Sequence, residues 1–146
     1  MSVIALDAMG GDNGAGTAVS AAAMISLQRQ ATVMLVGDRT VIEPALHRTQ
    51  HDAEYIQVHH TPDAIDMGED PRTAILKKPD ASIVLGARLV SEGHADALVS
   101  AGNTGAGILA CATHFKSLPG VPRAALAAVF PTERRRGTKD DPFSLI

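Results

Sequence analysis

Tryptophan is absent, tyrosine occurs once and phenylalanine three times, so aromatics make up only 3% of the 146 residues. A core without large rings must be built from Ala, Val, Leu, Ile and Met, which suits close helix-on-sheet packing. Cysteine occurs once, as Cys111. A single cysteine excludes an intrachain disulfide framework and fits a reducing compartment. Basic excess is also missing: 13 Lys and Arg stand against 16 Asp and Glu, a formal net charge of −3. That balance leaves no electrostatic footprint for nucleic acid. The one basic run, "ERRRGTK", is followed by "DD" and reads as a solvated tail. No apolar run reaches the length needed to span a bilayer. The start lacks a basic region and a long apolar stretch, because Asp7 interrupts it, so no secretory signal is expected and the expected location is cytoplasmic. Metal patterns are lacking too. His47, His51, His59, His60, His94 and His114 show no H-E-x-x-H spacing, and His59 and His60 would point to opposite faces of a strand. Cys111 and His114 could be a nucleophile and its base, but core plus helix end is the plainer reading.

What is present is a folded chain, with 45% hydrophobic residues. Short β-like runs alternate with helical ones. Strands are expected at Val3–Leu6, Thr32–Gly37, Glu54–His60, "ADALVS" (95–100) and Ala124–Phe130. Helices are expected over Gly16–Gln28 with Thr17 as N-cap, and over Thr40–Thr49 with Pro44 near its first turn. Pro71 opens a short helical turn. "SIVLGARLVSEG" is the clearest helix, with Ile83, Ala87 and Val90 on one face, Asp80 or Ser82 as cap and Gly93 as stop. A last helix runs through Ile108, Leu109, Ala112 and Phe115. Repeated β-loop-α units predict an α/β fold: a doubly wound, mostly parallel sheet in three α/β/α layers, Rossmann-like.

In such sheets ligands sit outside the carboxyl ends of the strands. Two glycine-rich loops, "DAMGGDNGAG" and "SAGNTGAG", directly follow strands, so both are expected on that edge. Gly102 and Gly105 let a ligand approach the backbone, and the helix after "NTG" offers unpaired N–H groups and a positive dipole end. Asn103 and Thr104 add neutral donors. The alternative, a βα turn capped by its Thr, stays open on spacing alone. A Walker A lysine is absent and the ordered G-x-G-x-x-G fingerprint is not met, so the dinucleotide reading is weak. Asp7 and Asp12 flank a double glycine. They could bind a metal or cap the turn, but too few carboxylates converge for magnesium. Lys77 and Lys78 could attract an anion or simply end a helix in solvent.

"IALDAMGGDNG" and "LVSEGHADALVSAGNTGA" resemble the phosphate acyltransferase family of bacterial phospholipid synthesis, the PlsX type. "EDPRTAILKKPDASI" and "LPGVPRAALAAVFPT" resemble its intervening and following segments. The likeness runs from about Val3 to Thr132 and covers the N-terminal part of a family member only. It implies a homodimeric α/β/α enzyme of the isocitrate/isopropylmalate dehydrogenase-like architecture, with no cofactor and no metal. Its substrates would be a long-chain acyl-acyl-carrier-protein and inorganic phosphate, and its product an acyl phosphate. Carried over by residue, Asp7, Gly10, Gly11 and Asp12 match the first loop, and Ser100, Gly102, Asn103, Thr104 and Gly105 the second. Lys78 matches a basic position between them. The resemblance implies catalytic roles for Asn103, Thr104 and Lys78, and phosphate or substrate contacts for the others. Departures from the family pattern are Ala15 for Pro, Leu76 for Arg, Ala81 for Ser and Ala124 for Pro. After "FPT" the likeness stops. The expected division is therefore an α/β part at 1–132 and a divergent, disordered tail at 133–146, as in a truncated or frame-shifted reading. Peripheral membrane contact, if any, would belong to the part of the family absent from this chain. A non-catalytic phosphate- or nucleotide-binding fragment is the alternative function. A dehydrogenase of the isopropylmalate type is a further one, but its metal-binding acids are not evident.

Overall fold

A computed structural model describes residues 1–121 and 127, and the backbone of 129–131 and 143–145. The chain divides into two units, Met1–Lys116 and Ser117–Ile146. The first unit holds four strands, β1 (Val3–Asp7), β2 (Thr32–Gly37), β3 (Ile56–His60) and β4 (Ala97–Val99). Five helices connect and cover them: α1 (Ala15–Gln28), α2 (Arg39–His47), α3 (Pro71–Lys77), α4 (Ser82–Ser91) and α5 (Thr104–His114). All pairings in this sheet are parallel, in the order β3-β2-β1-β4. This is the expected three-layer α/β/α arrangement.

The alternation of side chains along a strand explains the layers. Val33 and Leu35 of β2 point into a cluster with Val19 and Ala22 of α1 and Ile42 and Leu46 of α2. Met34 and Val36 point the other way, onto Leu85 and Leu89 of α4. A strand covered on both faces reads as a continuous apolar run, and "TVMLVG" does. Leu35, Ile42 and Val19 are fully buried, each worth about 1.5–3 kcal/mol relative to exposure. A third cluster joins α3, α4 and α5 through Ala74, Ile83, Val84, Ala106 and Ala110.

Several local expectations change. Thr17 does not cap α1. Gly14 holds the N-cap position with φ 65° and no side-chain bond, and the Thr17 N–H donates to its carbonyl. Pro44 lies inside α2, past the first turn, because Asp38 caps the helix earlier than expected. The expected strand 54–60 loses its start to a 3-10 turn at Ala53–Tyr55, capped by Asp52. Neither Asp80 nor Ser82 caps α4; Ala81 stands at the N-cap and makes no side-chain bond. The last helix, expected through Phe115, ends at His114 with Phe115 as its C-cap, and its buried residues are Ala106 and Ala110. Small side chains let α5 lie close to α4, and a Cβ at Gly107 would sit 3.3 Å from Ile83.

In the second unit, β5 (Val129–Pro131) pairs antiparallel with β6 (Phe143–Leu145) in its own two-stranded sheet. Of the rest of the expected strand 124–130, Ala127 is exposed and not in a strand; 124–126, 128 and the division at 132/133 lie outside the described residues.

Candidate anion-binding cleft at the switch point

In the order β3-β2-β1-β4 the chain winds outward from β1 to β3, then returns to the other side of β1. The switch point therefore lies between β1 and β4, where an open parallel sheet leaves a crevice at its carboxyl edge. Both glycine-rich loops leave the sheet there. A cleft of about 400 Å³ opens between them. Its lining combines apolar Leu6, Ala18 and Val99 with polar Asp12, Thr17 and Ser100.

Asp7 ends β1 and is only 3% exposed. A buried carboxylate must be satisfied by donors. The Ser82 hydroxyl donates to its Oδ1 at 2.6 Å, and the Met9 and Gly10 amides donate to the same oxygen at 3.2 and 3.1 Å. Oδ2 accepts from the Ser100 hydroxyl at 2.7 Å. Ser100 Oγ in turn accepts from the Gly102 amide at 3.0 Å. These bonds draw the two loops together until Gly10 and Gly102 touch backbone to backbone. A Cβ at Gly10 would lie 2.9 Å from Gly102 Cα, and one at Gly102 would lie 3.1 Å from Gly10 Cα. Gly11 follows with φ 92°, a conformation that L side chains rarely adopt.

Asn103 is 7% exposed and caps α5: its Oδ1 accepts from the Ala106 amide at 3.0 Å. Its Nδ2 donates to the Asp66 and Glu69 carbonyls at 3.1 and 3.0 Å. Both ends of the amide thus serve the fold, and they fasten the 66–69 loop to the start of α5. Asn103, not the neighbouring Thr, is the cap. Thr104 is exposed at the first position of the helix. Gly105 faces Pro71 of α3; a Cβ there would lie 2.8 Å from Pro71 Cγ. Its smallness serves the α3–α5 contact.

Like Gly102, Asn103, Thr104 and Gly105, Lys78 is not among the cleft residues. Its Nζ donates to the Ala64 carbonyl at 2.8 Å and to Glu69 Oε1 at 2.6 Å. The Glu69 hydrogen bond raises the Lys78 pKa, and Lys78 in turn lowers that of Glu69. Asp12 is exposed and lines the cleft. It makes no hydrogen bond within its loop among the described residues; Asp7 takes the Met9 and Gly10 amides instead. Cys111 packs against the α3–α4–α5 cluster, and burial pushes its thiol pKa up, against thiolate chemistry.

Ser82 was readable as a helix cap and nothing more. A serine at the start of an otherwise apolar helix carries no signal for a partner 75 residues away. Among the described residues, the amides of Gly11, Asp12, Ala101 and Thr104 have no intramolecular acceptor. No group of three or more His, Cys, Asp or Glu there is placed to hold a metal. No helix there is long and apolar enough to cross a membrane.

Comparison with known proteins agrees with the resemblance. The family described as "Fatty acid synthesis protein" matches residues 2–138. A protein named phosphate acyltransferase from Nitratidesulfovibrio vulgaris is 41% identical over 133 residues, covering 91% of this chain and 39% of its own length. One of the same name from Heliobacterium modesticaldum is 42% identical over 130 residues, with shares of 88% and 39%. Another, from Methylococcus capsulatus, is 40% identical over 135 residues, with shares of 90% and 40%. The chain thus spans about two fifths of the length of these relatives. It belongs to the Fatty acid synthesis protein family, beside relatives named phosphate acyltransferase.

Proposed function

We propose that this chain is the phosphate-binding part of a phosphate acyltransferase. The reaction takes a long-chain acyl-acyl-carrier-protein and inorganic phosphate to an acyl phosphate and free carrier protein. The observation that carries this reading is the meeting of two glycine-rich loops, with unpartnered amides, at the switch-point cleft. Such amides, together with the dipole at the start of α5, favour an anion.

A phosphate oxygen attacks the thioester carbonyl carbon, a tetrahedral oxyanion forms, the C–S bond breaks and the carrier thiol takes up a proton. Little of this needs a protein nucleophile. Holding phosphate in line with the carbonyl supplies much of the rate, and amide donors stabilise the oxyanion. In this reading the Gly11 and Ala101 amides of the cleft contact the reacting groups, and Thr104, which does not line the cleft, adds the donor at the start of α5. Asn103, Ser100 and Asp7 hold those donors in place, and Lys78 anchors the loop beside them. The reading needs no cofactor. It includes the carrier protein as partner, a homodimer as the assembled form and a cytoplasmic setting.

The second reading is a phosphate-binding fragment without catalysis. The Asn103 amide and the Lys78 ammonium, both engaged within the fold, favour it. Incubation with palmitoyl-carrier protein and phosphate, with acyl phosphate trapped by hydroxylamine, separates the two. Acyl phosphate supports the enzyme. Bound phosphate without product supports the fragment, and neither outcome rejects both.

A further inference from the structure

We propose that Ser82 is a positioning residue for the cleft, acting through Asp7 to set the distance between the two loops. The inference rests on the phosphate-binding reading for its effect on affinity, but not for its effect on loop geometry. Ser82 is 1% exposed and does not line the cleft. Serine at a helix start ordinarily bonds its own backbone. Here its hydroxyl leaves the helix and donates to Asp7 Oδ1 at 2.6 Å, while its amide donates to the Asp63 carbonyl at 2.9 Å. One residue thereby ties the start of α4 to the first loop and to the 61–70 connection.

The carboxylate it holds is gripped from a second side by Ser100, whose oxygen also accepts the Gly102 amide. Two hydroxyls from separate elements thus fix the plane of the Asp7 carboxylate. That plane decides which oxygen meets the Met9 and Gly10 amides and which meets Ser100. Without the Ser82 hydroxyl, Asp7 loses a short bond on one side. The carboxylate turns to recover a donor, and the Gly10–Gly102 contact opens.

The test uses the full 146-residue chain, Ser82→Ala, the rescue variant Ser82→Thr, and amide proton–nitrogen NMR spectra with an inorganic phosphate titration. In Ser82→Ala the Gly10, Gly11 and Gly102 amides are expected to move and Gly37 to stay. Phosphate affinity is expected to fall about tenfold, the size of one lost hydrogen bond to a charged group. Ser82→Thr is expected to restore both. A folded Ser82→Ala with wild-type loop amides and wild-type affinity overturns the proposal. Should Ser82→Ala not fold, Ser82→Cys keeps the volume and weakens the donor; wild-type loop amides there overturn it equally. If phosphate binds no form of the chain, the functional reading fails, and the glycine amides alone still judge Ser82.

Discussion

Asp7 and Asp38 leave neighbouring parallel strands on the same edge of the sheet. Each opens a strand-to-helix connection, yet they do different work. Asp38 turns back on its own chain: it accepts the Thr40 amide and hydroxyl, both at 2.8 Å, and caps α2. These bonds hold its carboxyl below the usual carboxylate range. Asp7 gathers hydroxyls from 75 and 93 residues away and is buried. The connection after β2 is a tight turn that runs through Asp38 straight into α2. The one after β1 is a glycine loop that meets a second loop across a cleft. The same residue type at the same place in the strand-helix unit is thus a cap in one case and a clasp in the other. The reach of its partners makes the difference.

The sharpest way to break this comparison is to remove each carboxylate. Asp7→Ala orphans buried hydroxyls and both loops, and is expected to cost about 3 kcal/mol or more. Asp38→Ala removes one helix cap and is expected to cost about 1 kcal/mol. Urea midpoints at unchanged slope measure both; equal losses would erase the distinction between clasp and cap. Next in size is Gly102→Ala, which pushes a methyl into the Gly10 backbone and is expected to cost about 2 kcal/mol. Its control, Gly16→Ala, meets nothing within 4 Å and is expected to be neutral or stabilising by about 0.5 kcal/mol. Asn103→Ala follows: it loses a cap and the grip on the 66–69 loop, at about 1–2 kcal/mol by thermal melting. An unchanged melting temperature there would make Asn103 a free donor rather than a fastening.

The smallest effect is on pH. Glu69 has a lowered folded pKa, so its contribution is present above the ordinary carboxylate pKa and is lost as pH falls through the lowered one. Lys78 has a raised folded pKa, so its contribution is complete below the ordinary lysine pKa and is lost as pH rises through the raised one. Amide exchange of residues 64–69 is expected to be slowest, relative to intrinsic rates, between the two ranges. It should rise at the acid end, and Lys78→Met should remove that rise.

Strand positions were legible because apolar runs bounded by Gly37 and Asp38, or by Ser100, leave few alternatives. The meeting of the two glycine-rich loops was legible too, since both follow strands and the sheet is parallel. What the residues do there was less so. Asn103 reads as a free amide in sequence, but its partners at 66 and 69 exist only once α5 docks beside that loop. Lys78 reads as a solvated or anion-seeking cation, and the fold gives it Glu69. Gly105 reads as room for a ligand, and the fold fills that room with Pro71. Ser82 left no trace, because its partner is set by tertiary packing alone.

The central claim is that the connections after β1 and β4 form one anion site and the connection after β2 does not. A titration of the 146-residue chain with inorganic phosphate, followed residue by residue in amide NMR spectra, tests it most directly. Saturable shifts of Gly11, Ala101 and Thr104, with Gly37, Asp38 and Arg39 still, are the predicted result. Shifts centred on Asp38 and Arg39, or none on either loop, would contradict it.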